Sequence, residues 1–281
     1  MLSNLLDKFY KIVHESVFPP KCLVCACFFR PPDTARGNIA ADRQDHLNPA
    51  TSLQTYAECL MAGYLCPNCI KGLAQIDSPL CTCCGMPFKS RYGQDHRCGE
   101  CITEPKKFTM ARAALVYEPI MTEVIHCFKY RGKIQLVRPL SELLLTAFVF
   151  FWDKDSIDVV VPVPLHSKKL RNRGFNQAYL MIRNWSTMTA SRFIEPCCLR
   201  VEEDILIRKV STGPQSALGR AERAVNIKNA FELKRGAKIA DKRILLIDDV
   251  YTTGATANEC ARLLLNRGAR QVDVLTLARA V

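Results

Sequence analysis

Two runs of continuous apolar residues constrain the fold of this chain most. They are IDVVVPVP at residues 157–164 and RILLID at residues 243–248. Apolar side chains at consecutive positions indicate strands buried on both faces, as in a parallel sheet covered by helices. Further strands are predicted at 111–117 and 271–279, and helices at about 119–130, 136–151, 175–190 and 255–267. This alternation predicts a doubly wound, mostly parallel α/β domain.

A pair of adjacent carboxylates, Asp248 and Asp249, closes the second apolar run, and a turn containing Gly254 then opens a helix. Open α/β sheets bind ligands at the carboxyl edge of their strands. A helix N-terminus adds unpaired N–H groups and a positive dipole end. The segment therefore predicts a cup for a phosphate monoester, with carboxylates placed to accept sugar hydroxyls directly or through Mg²⁺. The candidate residues are Asp248, Asp249, Val250, Tyr251, Thr252, Thr253, Gly254, Ala255 and Thr256.

The positive charge of the chain is concentrated in its second half. The net charge is +12, and residues 161–281 hold 21 Lys and Arg against 11 Asp and Glu. Residues 1–160 hold 18 against 16. Such an excess favours an anionic partner, which could be a nucleic acid, a phosphorylated metabolite or a lipid surface. A basic surface that serves solubility alone is the alternative.

Cysteine spacing predicts metal sites. Eight of the 15 cysteines form four CxxC pairs, and no secretion signal is recognised before them, so metal-bound thiolates in a reducing compartment are expected instead of disulfides. Two pairs can close one tetrahedral Zn²⁺ site. Cross-braced pairing and a single zinc stay open, and Cys27, Cys59 and Cys83 are neighbouring alternatives. The favoured sites are Cys22, Cys25, Cys66 and Cys69, then Cys81, Cys84, Cys98 and Cys101.

Composition divides the chain into three regions. Residues 1–21 have the apolar spacing of an amphipathic helix, residues 22–105 are the cysteine-rich region, and residues 108–281 are the α/β region. Residues 31–57 read as a polar, irregular insertion. The apolar stretch at 143–152 is about half as long as a membrane-spanning helix needs to be. It predicts a buried core helix, and no transmembrane segment is expected.

Several motifs together resemble a known family. Residues 245–256 look like the binding motif for PRPP (5-phosphoribosyl-1-diphosphate) of type I phosphoribosyltransferases. With the CxxC pairs, the chain resembles the ComF family of competence-associated, phosphoribosyltransferase-like proteins from Cys22 to Ala280, except over the insertion. The other matching segments are IHCFKYRG at 125–132, VPVPL at 161–165, RNRGFNQ at 171–177 and TGPQS at 212–216.

The resemblance implies a type I phosphoribosyltransferase fold with an N-terminal double zinc ribbon. It also implies PRPP and Mg²⁺ as ligands, a pyrophosphate loop that holds the diphosphate and a flexible loop that covers it. A basic surface loop is the alternative for the pyrophosphate loop. The pyrophosphate loop would contain Leu165, His166, Arg171, Arg173 and Gly174, with Lys168 and Lys169 also suited to phosphate. The flexible loop would contain Arg208, Lys209, Gln215, Ser216, Arg220 and Arg223.

The function implied by the resemblance is PRPP binding linked to DNA uptake in natural transformation, or to handling of single-stranded DNA. Its partners would be single-stranded DNA and proteins of the uptake machinery, and its location cytoplasmic, with peripheral association at the inner membrane as an option. The alternatives are an active transferase that moves the ribose-phosphate of PRPP to an unidentified small nucleophile, and a PRPP sensor. Thr252 stands where purine-salvage enzymes carry a carboxylate base, so the acceptor is not predicted. Tyr251 could stack on a base, but core packing is favoured.

Overall fold

The structure is a computed structural model and describes residues 19–32, 52–90, 92–153, 155–192, 199–210 and 227–281. Most of the predicted N-terminal helix and of the insertion at 31–57 lies outside these residues. So do four residues of the predicted flexible loop, namely Gln215, Ser216, Arg220 and Arg223.

A five-stranded sheet forms the centre of the molecule, and all of its neighbouring strands run parallel. The strand order is β1-β7-β6-β2-β3, so β6 lies in the middle of the sheet. A separate antiparallel pair joins β4 to β5. The strands are β1 Ala111–Val116, β2 Val159–Pro162, β3 Arg200–Val201, β4 Leu206–Arg208, β5 Phe231–Leu233, β6 Arg243–Tyr251 and β7 Gln271–Arg279.

Helices connect and cover these strands. Those of the cysteine-rich region are α1 Leu53–Met61, α2 Pro67–Ile70 and α3 Gly99–Thr103. Those of the α/β region are α4 Pro119–Tyr130, α5 Val137–Phe151, α6 Ser167–Arg173, α7 Gln177–Ile182, α8 Trp185–Arg192 and α9 Ala255–Asn266. A short 3₁₀ turn at Ile134–Leu136 leads directly into α5.

Consecutive residues of β6 point to opposite faces of the sheet and enter two different cores. Leu245 and Ile247 pack into one core with α1, α4, α5 and α7. Ile244 and Leu246 pack into the other with α9, β4 and β5. Both faces are therefore covered, which explains the continuous apolar run in the sequence. The predicted doubly wound parallel fold is confirmed.

The most apolar helical stretch of the described residues, Ile134–Phe151, is long enough to cross a membrane and has a mean hydropathy of 1.5. However, 61% of it is buried inside the protein. Leu140, Leu144 and Phe148 are fully buried under the sheet. In this structure the stretch packs as a core helix.

Three local features differ from the sequence-based expectations. The helix expected at 175–190 is divided into α7 and α8, and α7 begins only at Gln177 because the side chain of Asn176 caps it by accepting the Ala178 N–H at 3.1 Å. The segment expected as a pyrophosphate loop contains the seven-residue helix α6. The irregular insertion ends earlier than expected, since Ser52 caps α1 by accepting the Thr55 N–H.

Candidate functional site

Strand β6 carries the Asp248–Asp249 pair to the carboxyl edge of the sheet and continues to Tyr251. The Asp248 carboxylate accepts the backbone N–H of Asp249 at 2.8 Å. Gly254 then takes a φ of +75° and forms the N-cap of α9 without any side-chain capping bond. Only glycine adopts this backbone region at little cost. The turn therefore directs the N-terminus of α9 towards the Asp pair.

A pocket of about 670 Å³ opens at this edge, within the range of about 300–1,000 Å³ that is usual for small-molecule sites. Every residue of the predicted PRPP motif, from Asp248 to Thr256, contributes to its wall. The rest of the wall comes from α4, from the β2–α6 connection and from Arg208 at the end of β4, among others. The pocket thus brings carboxylates, hydroxyls and a helix N-terminus together with a group of cations.

Within the described residues, Lys129 of α4 is the cation that forms an ion pair with one of the two aspartates. Its Nζ lies 2.7 Å from Oδ1 of Asp249, and the two side chains are 16% and 15% exposed. Burial works to lower the pKa of Lys129, but the charges of Asp249 and Asp248 outweigh it and raise the pKa. Burial and the charge of Asp249 raise the pKa of Asp248 to about 7. The pair of carboxylates therefore favours a cation.

Three further cations line the pocket: Lys169, Arg173 and Arg208. Burial, followed by the charges of Arg208, Arg173 and Lys129, lowers the pKa of Lys169. Arg173 is held by a 2.6 Å hydrogen bond from its Nη1 to Oε1 of Gln177. A lysine whose pKa is lowered by three neighbouring cations marks a place that favours a polyanionic ligand.

The residues predicted for the diphosphate divide into two groups. Leu165, Arg173 and Arg208 line the pocket, whereas His166, Arg171, Gly174 and Lys209 do not contribute to its wall. His166 instead caps α6 by accepting the Lys168 N–H at 3.2 Å, and Gly174 ends the same helix with a φ of +82°. Arg171 is exposed, and Lys209 forms an ion pair with Glu232.

One face of α4 forms a pocket wall that the sequence analysis did not assign to the site. His126, Lys129 and Tyr130 have the spacing i, i+3 and i+4, which places them on one side of a helix. All three line the pocket, and the guanidinium of Arg173 lies 4.8 Å from the centre of the Tyr130 ring. The sequence signal that could have identified this wall is the set of three polar or aromatic residues on one face of an amphipathic helix whose other face is apolar.

Tyr251 packs in the core beneath the PRPP motif, as the sequence analysis favoured. It is 5% exposed, and its ring meets Phe108 edge-to-face at 6.2 Å. The guanidinium of Arg279 lies over the ring, 4.4 Å from its centre. A side chain added at Gly254 would meet the Tyr251 hydroxyl. Tyr251 therefore supports the turn from below.

The CxxC cysteines form two groups of four, each with all four sulfur atoms within 4.8 Å of one another. Sulfur distances of 3.6 Å for Cys25–Cys66 and 3.8 Å for Cys84–Cys98 fit a tetrahedral ion with Zn–S bonds of about 2.3 Å. Both groups could therefore hold a zinc ion. The grouping is sequential and not cross-braced. The first group is Cys22, Cys25, Cys66 and Cys69, and the second is Cys81, Cys84, Cys98 and Cys101.

Backbone and thiol donors around the cysteines favour thiolates at defined positions. A backbone hydrogen bond and the thiol of Cys27, whose sulfur lies 3.2 Å away, lower the pKa of Cys25 to about 6. Burial works to raise the pKa of Cys81, but backbone N–H donors, led by that of Cys98, lower it to about 6. Thiolates are the form that binds zinc. Cys27 thus lies beside the first group, within hydrogen-bond distance of Cys25, and is not one of its four members.

Comparison with known proteins identifies the class of domain to which the sheet and the pocket belong. The phosphoribosyl transferase domain model matches residues 199–280, which contain β6, the Asp pair and α9. A hypoxanthine phosphoribosyltransferase from Staphylococcus aureus is 18% identical and covers 54% of this chain and 69% of its own, but its TM-score of 0.26 is too low to bear on the fold. The class of domain is that of the phosphoribosyltransferases.

Full-length relatives identify the family. Competence protein F of Haemophilus influenzae is 32% identical over 221 residues, which cover 77% of this chain and 90% of that protein. Competence protein ComFC of Bacillus subtilis is 30% identical over 77% of this chain and 84% of its own. DNA utilization protein YhgH of Escherichia coli K12 is 29% identical over 77% and 91%. This chain belongs to the ComF family.

Proposed function

We propose that this protein binds PRPP with Mg²⁺ in the pocket and acts in the handling of single-stranded DNA during DNA uptake. The observation that carries the proposal is the Asp248–Asp249 pair, which lies beside the N-terminus of α9, forms an ion pair with Lys129 and shares its pocket with three further cations. A ligand that suits this pocket must offer hydroxyls or a metal ion to the carboxylates and phosphates to the cations. PRPP has both kinds of group.

Different residues of the chain would bind different parts of the PRPP molecule. Asp248 and Asp249 would hold the ribose hydroxyls, either directly or through Mg²⁺, which when bound supplies positive charge next to the diphosphate. The Thr252 and Thr253 hydroxyls and the first N–H groups of α9 would hold the 5-phosphate. Lys169, Arg173 and Arg208 would hold the diphosphate. The raised pKa of Asp248 supports a cation at this point, because a cation relieves the repulsion between the two adjacent carboxylates.

Titration calorimetry tests the PRPP site. Wild-type protein should bind PRPP in the presence of Mg²⁺, and Asp249→Asn should bind it at least about tenfold more weakly, since the variant loses a metal-binding carboxylate. Ribose 5-phosphate serves as a control ligand that lacks the diphosphate, and it should bind more weakly than PRPP. Equal affinity of wild type and Asp249→Asn for PRPP would refute the site.

The proposed role in DNA handling rests on charge and on family membership. The second half of the chain has a net charge of +10, and two relatives are named competence proteins. Lys168 and Arg171 are exposed on α6, beside the pocket. Arg173 of the same helix lies 4.8 Å from the centre of the exposed Tyr130 ring. Such a surface suits a single strand, since bases stack on aromatic rings while cations follow the phosphates.

Filter binding of an oligothymidylate over a salt series tests this role. Affinity should fall steeply with salt, and Lys168→Gln/Arg171→Gln should reduce the slope by about 0.7 for each phosphate that the variant no longer neutralises. The matched control is Arg267→Gln/Arg270→Gln, which removes the same charge from exposed residues at the opposite edge of the sheet. DNA binding that is absent at low salt, or that both variants weaken equally, would contradict the proposal.

One observation favours an active transferase as the second candidate. The imidazole of His126 lines the pocket on the α4 wall, where it could accept a proton from a nucleophile that attacks the ribose. Pyrophosphate release from PRPP and Mg²⁺, measured over a panel of bases, amines and oligonucleotides, tests it. Release that depends on His126 would establish transfer. Binding of PRPP without release from any member of the panel would refute it.

A further inference from the structure

We propose that Arg279 couples the second cysteine group to the PRPP motif, so that metal binding at the one and PRPP binding at the other strengthen each other. The coupling rests on the proposed PRPP function and on zinc as the metal that the four thiolates suit. Arg279 would act as a positioning residue, because it supports the turn at Gly254 through Tyr251 and would touch neither the metal ion nor PRPP.

Arg279 contacts both sites directly. Its Nη1 donates to the carbonyl oxygen of Cys84 at 2.6 Å, and its Nη2 lies 3.7 Å from the Cys84 sulfur. The same guanidinium lies over the Tyr251 ring, 4.4 Å from its centre. Arg279 and Tyr251 are also partners in the β6–β7 ladder, which fixes their separation.

A second contact also joins the cysteine segment to the Tyr251 ring. Phe108 meets Tyr251 edge-to-face at 6.2 Å, and its carbonyl oxygen accepts a hydrogen bond from the Cys83 thiol at 4.0 Å. The cysteine segment therefore reaches Tyr251 through two residues, Arg279 and Phe108. Tyr251 in turn lies against Gly254, whose left-handed backbone directs the N-terminus of α9 into the pocket.

The position of Arg279 depends on the cysteine segment. The residue is 4% exposed, and its guanidinium contacts both the carbonyl oxygen and the sulfur of Cys84. A metal ion held by the four cysteines would fix the main chain and the sulfur of Cys84, because metal binding orders the segment that supplies the ligands. Without the ion Cys84 would be held less firmly, and Arg279 would be less well placed against Tyr251. The turn would then lose part of its support.

Thermodynamic linkage makes the effect reciprocal: if zinc strengthens PRPP binding by some factor, PRPP strengthens zinc binding by the same factor. If the association rates are unchanged, PRPP slows the release of zinc by that factor. The experiment uses zinc-loaded, full-length protein in excess Mg²⁺ and follows zinc transfer to a chromogenic, zinc-selective chelator. With saturating PRPP, release from the second group should slow by about fivefold or more in the wild type. Calorimetry on the same samples reports PRPP binding independently.

Arg112 provides the matched control. Its Nη1 donates to the carbonyl oxygens of Cys81 and Thr82, so it anchors the same cysteine segment, but its ring contact is with Phe151 and not with the PRPP motif. Arg112→Met should therefore speed release from the second group, which identifies that kinetic phase, while PRPP still slows the phase as in the wild type. Arg279→Met should speed the same phase and abolish the effect of PRPP.

Arg279→Lys keeps the positive charge and covers the case in which Arg279→Met does not fold. A lysine lacks the planar fork with which Arg279 contacts Cys84 twice while it lies over the Tyr251 ring, so the PRPP effect should shrink although PRPP still binds. Wild-type protein that binds PRPP without any change in zinc release would overturn the coupling and leave the proposed function intact. A PRPP effect that persists undiminished in both Arg279 variants would also overturn it. Failure of the wild type to bind PRPP would refute both proposals.

Discussion

Replacing Lys129 with methionine should destabilise the protein most at the pH values at which Asp248 is ionised. Methionine keeps the length and apolar stem of the side chain but removes its charge. Lys129 and Asp249 are 2.7 Å apart and mostly buried. The variant therefore leaves two adjacent carboxylates, Asp248 and Asp249, without the cation that is nearest to them.

The magnitude follows from the distance and the burial. At 2.7 Å and an effective dielectric constant of about 20, the attraction between Lys129 and Asp249 is about 6 kcal/mol. Removal of the two groups from water opposes most of it, and hydrogen bonds to charged groups contribute a net of about 1.5–3 kcal/mol. We therefore expect Lys129→Met to lower the free energy of unfolding by about 2 kcal/mol at neutral pH.

The loss should grow as the pH rises. The pKa of Asp248 is raised to about 7 in the folded protein, so its protonated form favours folding at low pH, and this contribution disappears as the pH passes through 7. Without Lys129 the pKa of Asp248 rises further, because a cation that stabilised its ionised form is gone. Lys129→Met loses more stability at high pH than at low pH. For each unit by which the variant raises the pKa of Asp248, this difference grows by about 1.4 kcal/mol.

Urea unfolding of zinc-saturated protein at about pH 6 and about pH 8.5 measures the effect on either side of this pKa. Lys129→Arg is the control, since it keeps the charge and should lose much less stability. Added Mg²⁺ should stabilise Lys129→Met more than the wild type, because it replaces the missing cation beside the carboxylates. Equal losses at both pH values, or equal losses in the two variants, would show that the Asp pair does not depend on the Lys129 charge.

Three other expectations concern the same two sites. Asp249→Asn should abolish the stabilisation by PRPP and Mg²⁺ in a thermal shift assay but leave the zinc content unchanged, as measured by plasma mass spectrometry. Gly254→Ala should lower the free energy of unfolding by more than about 2 kcal/mol, since backbone strain and the Tyr251 hydroxyl both oppose a side chain there. Gly236→Ala, with a φ of +84° and open space around it, should show the strain alone, about 1 kcal/mol. The purified chain should carry two zinc ions, and Cys84→Ser should remove one, whereas a zinc content unaffected by Cys84→Ser would contradict the second site.

The sheet and the PRPP motif were predictable from the sequence because their signals are local. Runs such as 243–248 are apolar at every position since both faces of β6 are buried. The turn at Gly254 and the hydroxyl residues next to it are specified within a few residues of the Asp pair. The sequence did not show that β6 continues through the pair to Tyr251, because strand boundaries depend on pairing with β7.

The α4 wall of the pocket could not be predicted in this way. Residues 119–130 predict an amphipathic helix, but periodicity does not show what its polar face meets. The fold brings that face to the carboxyl edge of β6, 120 residues further along the chain, where Lys129 pairs with Asp249. Charge complementarity between distant segments becomes visible only when their relative position is known. The same holds for Arg173 and the Tyr130 ring.

The cysteine-rich region shows why composition and packing divide the chain differently. Composition places a boundary near residues 105–108, and this division stays a prediction. In the structure, the first cysteine group packs into the core on one face of the sheet and the second group into the core on the other. Small metal-bound segments have little core of their own. Because these segments complete both cores of the sheet, loss of either metal should weaken the α/β domain itself, and loss of the second should reach the PRPP motif through Arg279.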